Sequence, residues 1–453
     1  MAYHDDDRED EDQPSDDETD NSDEHEDDNE YVVAKLSKTA KNIAEQMTEE
    51  QRKSLGKMVV DDTEIDLESR EAEMESRWDG WAKMYVGRPE QSDLSARAGA
   101  PNIHTPGSSV AIDQFSSRAE KYLMPPNNIA KCEGTGNEDK NRAWRVARFM
   151  NVQIEKRIPR FRRNIGTSIK QTAIFGTSAI KSWWDPAGKH PVVTHVPAED
   201  FVISYTHSGP VESAARLTHR LRMTRDKIRA GVKAGIFCDD CWDLEASETD
   251  SEDSGLTETR KEIDGVEDSK RSSDPGAIEV FEQHRMLDLD GDGIGEPYVV
   301  TVHVDTGTLM RVVSRVVKGE TVDFFTELPF DYNPLGFYSL GIGAKTEGLN
   351  TLQNSLANLT LFAAIRNSFP PKFRCKSAFD GAGDKEYELD EWIETKAHIE
   401  DVQKTFYIAP TTPPSPVLMT LYQEAGRQVR EVVSITAVMQ GAEQPHNQAA
   451  TPT

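Results

Sequence analysis

DYNPLGFYSLGIGAKTEGLNTLQNSLANLTLFAAIRNSFPPKF, residues 331–373, is the stretch from which the rest of the chain can be read. Leu349, Leu352, Leu356, Leu359 and Ala363 step by three and four, a spacing that predicts a helix with one buried stripe. Its other face is asparagine, threonine, glutamine and serine, and no charge falls between Leu349 and Ile365 in a chain that is 29% charged. Exposed helical faces ordinarily carry Lys and Glu for solubility and pairing. A long neutral polar face therefore implies either a helix buried among others or a surface past which a polyanion slides without sticking.

Downstream, Ser415 is placed to cap a second helix over 417–439, with Leu418, Leu421, Ala425, Val429 and Val432 as its stripe. The two helices bracket a mixed segment with a charged helix around 390–401 and a strand at 405–408. Two helices with such narrow stripes bury little surface alone, so further copies of the chain are expected to cover the remainder.

Upstream, 31–57 reads as a modest amphipathic segment, and Thr63 with Asp66 offers a capping-box-like start to a helix bearing Met74, Trp78, Trp81 and Tyr85. Residues 87–106 read as loop and 108–123 as helix, stopped by Pro125 and Pro126. From Lys140 to Lys170 there are ten Lys or Arg and one acid, with Trp144, Phe149 and Phe161 interleaved and Pro159 as a break. Arg142, Arg145, Arg148, Arg160, Arg162 and Arg163 are candidates for gripping DNA phosphates or for pairing with an acidic neighbour, the next copy of the chain included. The aromatics follow the helical period, which favours a core role for them.

Residues 177–184 and 192–196 predict a hairpin, and 216–233 a second basic helix. Strand-like runs at 279–287 and 298–304 flank DLDGDGIGE at 288–296, where Asp288, Asp290 and Asp292 match the first half of a calcium loop. The twelfth position is Val299 and the flanks are strands, so an acidic hairpin loop is favoured over a weak cation site. Cys238 and Cys241 have the spacing of half a zinc site or of a redox motif, with no second CxxC or HxxxH to complete a metal site. SLGIGAKT at 339–346 lacks both glycines required of a phosphate loop, and its own glycines read as a flexible lead into the helix.

The chain has 453 residues and a net charge of −28, enough length for two or three domains. The acid is concentrated: residues 1–30 hold 17 acids and one Arg, and 239–270 hold 13 acids and three bases. Both tracts are expected to be disordered, and without them the chain is nearly neutral. No apolar run approaches a membrane span and the acidic N-terminus is unlike a signal peptide, so a soluble, unsecreted protein is expected. Four scattered cysteines suit reduced thiols.

In order along the chain, the tryptophan helix, PNIHTP at 101–106, GTSAIKSWWD at 176–185, VPAEDF at 196–201, THRLRMTRDKIR at 218–229, EVFEQHRMLDLDGDGIGEPYVVTVHV at 279–304 and NPLGFYSLGIG at 333–343 resemble a portal protein of a tailed bacteriophage, closest to the podovirus-type head-to-tail connectors. The resemblance implies an α+β, mostly helical subunit with wing, two-helix stem and small mixed clip. It also implies a twelve-fold ring at one capsid vertex of the virion, assembled in the host cytoplasm, through which double-stranded DNA is packaged and ejected.

Carried onto this chain, the parts are an acidic tail at 1–30, an arm at 31–60, a wing at 61–330 with an acidic linker at about 239–272, a first stem helix with its lead-in at 331–368, a clip at 369–413, a second stem helix at 414–440, and the start of the tunnel-loop region at 441–453. Channel candidates are then Asn350, Asn354, Asn358 and Lys345. Clip candidates for terminase and tail contact are Glu391, Trp392, Glu394 and Lys396. Expected partners are the chain itself, DNA, terminase, tail adaptors, and the major capsid or scaffolding protein. No cofactor or catalysis is expected, because the terminase supplies the ATPase and nuclease. The family's tunnel loop and crown have no counterpart here, which suggests a fragment, and the acidic tail is not a general family feature. From other classes, a metal-dependent DNA enzyme would use Asp288, Asp290 and Asp292, and a non-ring DNA-binding adaptor would use the basic helices.

Overall fold

Thr48 opens the first long helix with a reciprocal cap: its hydroxyl accepts the Gln51 amide at 3.3 Å, and the Gln51 side chain accepts the Thr48 amide at 2.9 Å. In this computed structural model, helix α1 spans Glu49–Arg70, passes through a π-helical turn at Glu71–Glu75 and continues as α2, Ser76–Val86. The start expected at Thr63 and Asp66 therefore lies inside a helix. Those residues face the neighbouring sheet instead, where Thr63 meets Thr218 and Gln283, and Asp66 takes Arg216 in a two-pronged ion pair at 2.7 and 2.9 Å.

The structure describes residues 31–33, 36–87, 101–126, 128–134, 136, 139–185, 188–204, 206–244, 277–369, 372–374, 406–408 and 413–432. About half of these are helical, so the fold is α+β with a larger share of sheet than the sequence suggests. Helix α3 (Gly107–Leu123) and α4 (Lys140–Val152) are followed by a second π turn, Gln153–Arg157, and then by α5, Phe161–Phe175. The break falls at Arg160, which takes a left-handed φ of 55° beside Pro159.

Strands β1 (Thr177–Asp185) and β2 (His190–Val196) form the expected hairpin, and β3 (Phe201–Ile203) leads to β4, Arg216–Thr224. The basic helix expected at 216–233 is thus half strand. In RLTHRLRMT alternate residues face opposite sides of the sheet, and only Arg225–Lys233 is helical, as α6. Strands β5 (Ala277–Leu287), β6 (Glu296–His303) and β7 (Leu309–Ser314) complete an antiparallel sheet in the order β3-β4-β5-β6-β7. After the short pair β8 (Val316–Val317) and β9 (Glu320–Thr321), strand β10 (Phe325–Pro329) returns to pair with β1. Helix α7, Ile342–Ser368, leads to β11 (Lys372–Arg374), which pairs with β12 (Phe406–Ile408), and α8 covers Pro416–Val432.

Two apolar cores result. One joins Leu55 and Val59 of α1 to Val280, Tyr298, Val300, Met310 and Val312 of the five-stranded sheet. The other gathers Trp78 and Trp81 with Ile112, Phe175, Phe201, Phe337, Tyr338 and Ile342, and so seats the first turn of α7. Here two of the glycines expected as a flexible lead, Gly341 and Gly343, and Gly176 facing them, are sites of close approach. A Cβ on Gly343 would stand 2.6 Å from the Ile174 carbonyl and 2.9 Å from Trp81, and one on Gly176, already at φ +98°, would stand 1.9 Å from the Ser339 carbonyl.

Candidate functional site

Helix α7 turns its asparagine face inward. Asn350, Asn354 and Asn358 are buried, and two of them hold the extended segment that precedes α3. Asn354 Oδ1 accepts the Thr105 amide at 2.8 Å, while Asn358 Oδ1 accepts the Ile103 amide at 2.7 Å and its Nδ2 donates to the Ile103 carbonyl at 3.2 Å. Residues four apart on a helix rise about 6 Å and residues two apart on an extended chain about 6.6 Å, so the amides match alternate backbone groups. The face that the sequence offers to a passing polyanion is, in this chain, covered by residues 101–106. Lys345 lies beside it, exposed, with its ammonium paired to Asp331 and set over the Phe330 ring.

The leucine stripe divides. Leu356 is buried, Leu349 and Leu359 are half-buried, and Leu352 is 49% exposed. On α8, which packs along α7, Ala425 and Val429 are buried, whereas Val417, Met419, Leu421 and Val432 stay exposed. Gln353 sits between the two helices, its amide facing Gly426 on one side and Gly107 on the other. The clip candidates Glu391, Trp392, Glu394 and Lys396 lie outside the described residues, as does α8's expected continuation to 439.

Helix α4 corrects the expectation of an aromatic core. None of its residues is buried, Trp144 is 61% and Phe149 64% exposed, and Arg142, Arg145 and Arg148 are exposed beside them. The helix rests on residues 128–134 where Asn151, two turns beyond Trp144, exchanges two hydrogen bonds with the Ala130 backbone. Arg148 lies over the Trp144 ring at 5.4 Å. Of the remaining basic candidates, Arg162 donates to the Met124 and Pro125 carbonyls at 2.9 and 3.1 Å, while Arg160 and Arg163 are exposed.

The acidic loop between β5 and β6 brings carboxylate oxygens of Asp288, Asp290 and Asp292 within 4.8 Å of one another. Each already has a task. Asp288 accepts the amides of Gly291 and Gly293, Asp292 accepts that of Ile294, and the Lys38 ammonium sits 2.8 Å from Asp290 and 2.6 Å from Glu296. Those two hydrogen bonds hold the Lys38 ammonium well above its usual pKa and Asp290 below its own. A lysine charge thus serves the carboxylates that a cation would otherwise draw together. Cys238 and Cys241 are buried in the first core, and burial pushes the Cys241 thiol up to about 12, which makes it inert packing.

A cluster that sequence reasoning missed lies between the two larger sheets. Lys181 of β1 reaches Glu282 of β5 at 2.5 Å, Glu282 accepts from His284 at 3.0 Å, and His219 of β4 stands beside Lys181, with Phe325 against both imidazoles. Burial pushes the Glu282 carboxyl up, but the His284 hydrogen bond and the Lys181 charge outweigh it and hold the group low. Burial pushes both imidazoles down, His219 from 6.5 to about 3 with Lys181 adding to the effect. The four residues are scattered over 104 positions of sequence, and no local pattern marks them.

Residues 187–335, about a third of the chain, match the family model described as Phage SU10 portal protein. The match runs from the start of β2 through β10 and includes the whole five-stranded sheet and its acidic loop. No curated protein matches the chain. The chain resembles a tailed-phage portal protein, the podovirus-type resemblance is consistent with the match, and a phage portal function is supported. Among the described residues, no helix is long and apolar enough to cross a membrane.

Proposed function

We propose that this chain is the subunit of a portal ring at one vertex of a phage capsid, a structural assembly component through which double-stranded DNA is packaged and ejected. The observation that carries the reading is the match of residues 187–335 to the portal family. The pairing of α7 and α8 supports the ring. Leu352, Leu421, Val417 and Val432 remain exposed on a two-helix unit, a surface that neighbouring copies in a closed cyclic assembly would cover.

In this reading residues 61–330 form the wing, α7 and α8 the stem, and 369–413 the clip, with Glu391, Trp392, Glu394 and Lys396 as contacts for terminase and then tail adaptors. Because residues 101–106 cover the asparagine face, the charge-free outer residues of α7, such as Thr351 and Ser355, are the ones we assign to the channel side, with Lys345 at its mouth. Capsid or scaffolding protein would surround the wing, and assembly would take place in the host cytoplasm.

The test is the mass and rotational symmetry of purified particles, by light scattering and by averaged images. A closed ring of about twelve copies is expected. A monomer of about 50 kDa under all conditions would remove the ring and leave a DNA-binding adaptor as the better reading.

A further inference from the structure

Two exposed faces of this chain complement one another. On α4, Arg145 and Arg148 lie between Trp144 and Phe149 around the helix, with Arg142 beside Phe149, so that a cationic strip is flanked by two exposed rings. On α1, Asp61, Glu64, Ile65 and Glu68 occupy positions i, i+3, i+4 and i+7, one stripe along the helix, all exposed. Ile65 is 56% exposed at its centre, and Glu71 extends the acidic line into the π turn. A shallow, open depression lined by Lys53, Lys57, Met58 and Asp61 adjoins it on α1.

We infer that the outer face of α4 docks on the outer face of α1 of an adjacent copy of this chain. Exposed apolar side chains set among charges suit a protein interface, and the opposite charge of the two faces fixes register and excludes the α4–α4 and α1–α1 alternatives, where like charges would meet. Two different patches on one chain make a head-to-tail contact, the kind that closes a ring. Duplex DNA explains the arginines but not the rings, because paired and stacked bases offer no free face to Trp144 and Phe149. This inference rests on the portal-ring reading and names one of its subunit contacts.

The experiment uses the full chain in three forms besides the wild type, with circular dichroism to check folding. One carries Arg142→Glu, Arg145→Glu and Arg148→Glu, another Asp61→Arg, Glu64→Arg and Glu68→Arg, and the third all six. Each triple variant should lose its ring fraction roughly tenfold or more by light scattering, since like charges then face each other, and the six-fold variant should regain it. A wild-type chain that never assembles sinks the ring reading itself. If the wild type forms rings and either triple variant does so equally well, or if the six-fold variant stays dispersed, the α4–α1 contact is wrong. Intact rings of the α4 variant with reduced DNA retention on filters would instead give that face to DNA and overturn the inference.

Discussion

Asn358 and Ile103, 255 positions apart, share a closed pair of hydrogen bonds in which the side-chain amide takes the place of a neighbouring strand, accepting at 2.7 Å and donating at 3.2 Å. With Asn354 on Thr105 one turn away, where both the amide and the hydroxyl of Thr105 donate to Asn354 Oδ1, the pair fastens an extended segment to a helix chiefly through its backbone.

Asn358→Ala should therefore cost about 1–3 kcal/mol, because the backbone groups of Ile103 lose their partner while they stay partly shielded from water. Hydrogen exchange of residues 101–106 checks this directly. Exchange there should quicken while that of the five-stranded sheet is unchanged, and equal protection in both proteins would show that the segment is held by other means.

The two leucines one turn apart on α7 should fail differently. Leu356 is buried against its own chain, so Leu356→Asp places an unpaired charge in the helix seam and should unfold the subunit's stem. Leu352 is 49% exposed, so Leu352→Asp should leave the melting temperature of the dissociated subunit almost unchanged and abolish assembly. Rings from Leu352→Asp indistinguishable from wild type would place that face outside any subunit contact.

Stability should fall in acid from a specific place. His219 is held down to about 3 and His284 is also lowered, each by burial, so the unfolded chain takes up protons below its ordinary value of 6.5 that the folded chain refuses. Stability is thus full above 6.5 and declines as pH falls, and the lowered carboxyl of Glu282 adds to the decline below its ordinary 4.5. Thermal melting at about pH 7 and about pH 4.5 should show this loss, and His219→Gln should make it smaller. An undiminished loss in that variant would move the origin elsewhere.

Lys38 supplies the positive charge at the acidic loop. Lys38→Met should change stability by less than about 1 kcal/mol, since the ion pairs are exposed. It should also raise calcium affinity measured by calorimetry, because Asp290 and Glu296 lose their ammonium. Equal calcium titrations for wild type and variant would mean that Lys38 does not compete for the site.

What the sequence made legible follows the range over which its signals act. The Trp78 and Trp81 stripe, the hairpin at Asp185 and His190, and the loop at 288–296 are written in neighbouring residues, and the structure has them as read. Residues 216–224 misled because arginine is a good helix former, whereas pairing on both sides, with β3 and β5, makes this segment an interior strand. Trp144 and Phe149 misled because a helical period tells which residues share a face and not what covers it. The asparagines were conspicuous by their lack of charge, and their spacing of four was the available clue to a ladder. What they bind lies some 250 positions earlier, beyond any local pattern.

The π turn at Glu71–Glu75 sets the phase of the whole N-terminal rod. An α-helix advances about 100° per residue, so the surplus residue taken up by an i→i+5 turn redirects everything beyond it. Upstream of it Leu55 and Val59 address one core, and downstream Trp78 and Trp81 address the other. Arg70, at the junction, is locked to Glu75 and to the carbonyls of Ala198, Glu199 and Phe201. The rod therefore works as a camshaft with two lobes set at different azimuths. One continuous rod thus joins the five-stranded sheet to the seat of α7.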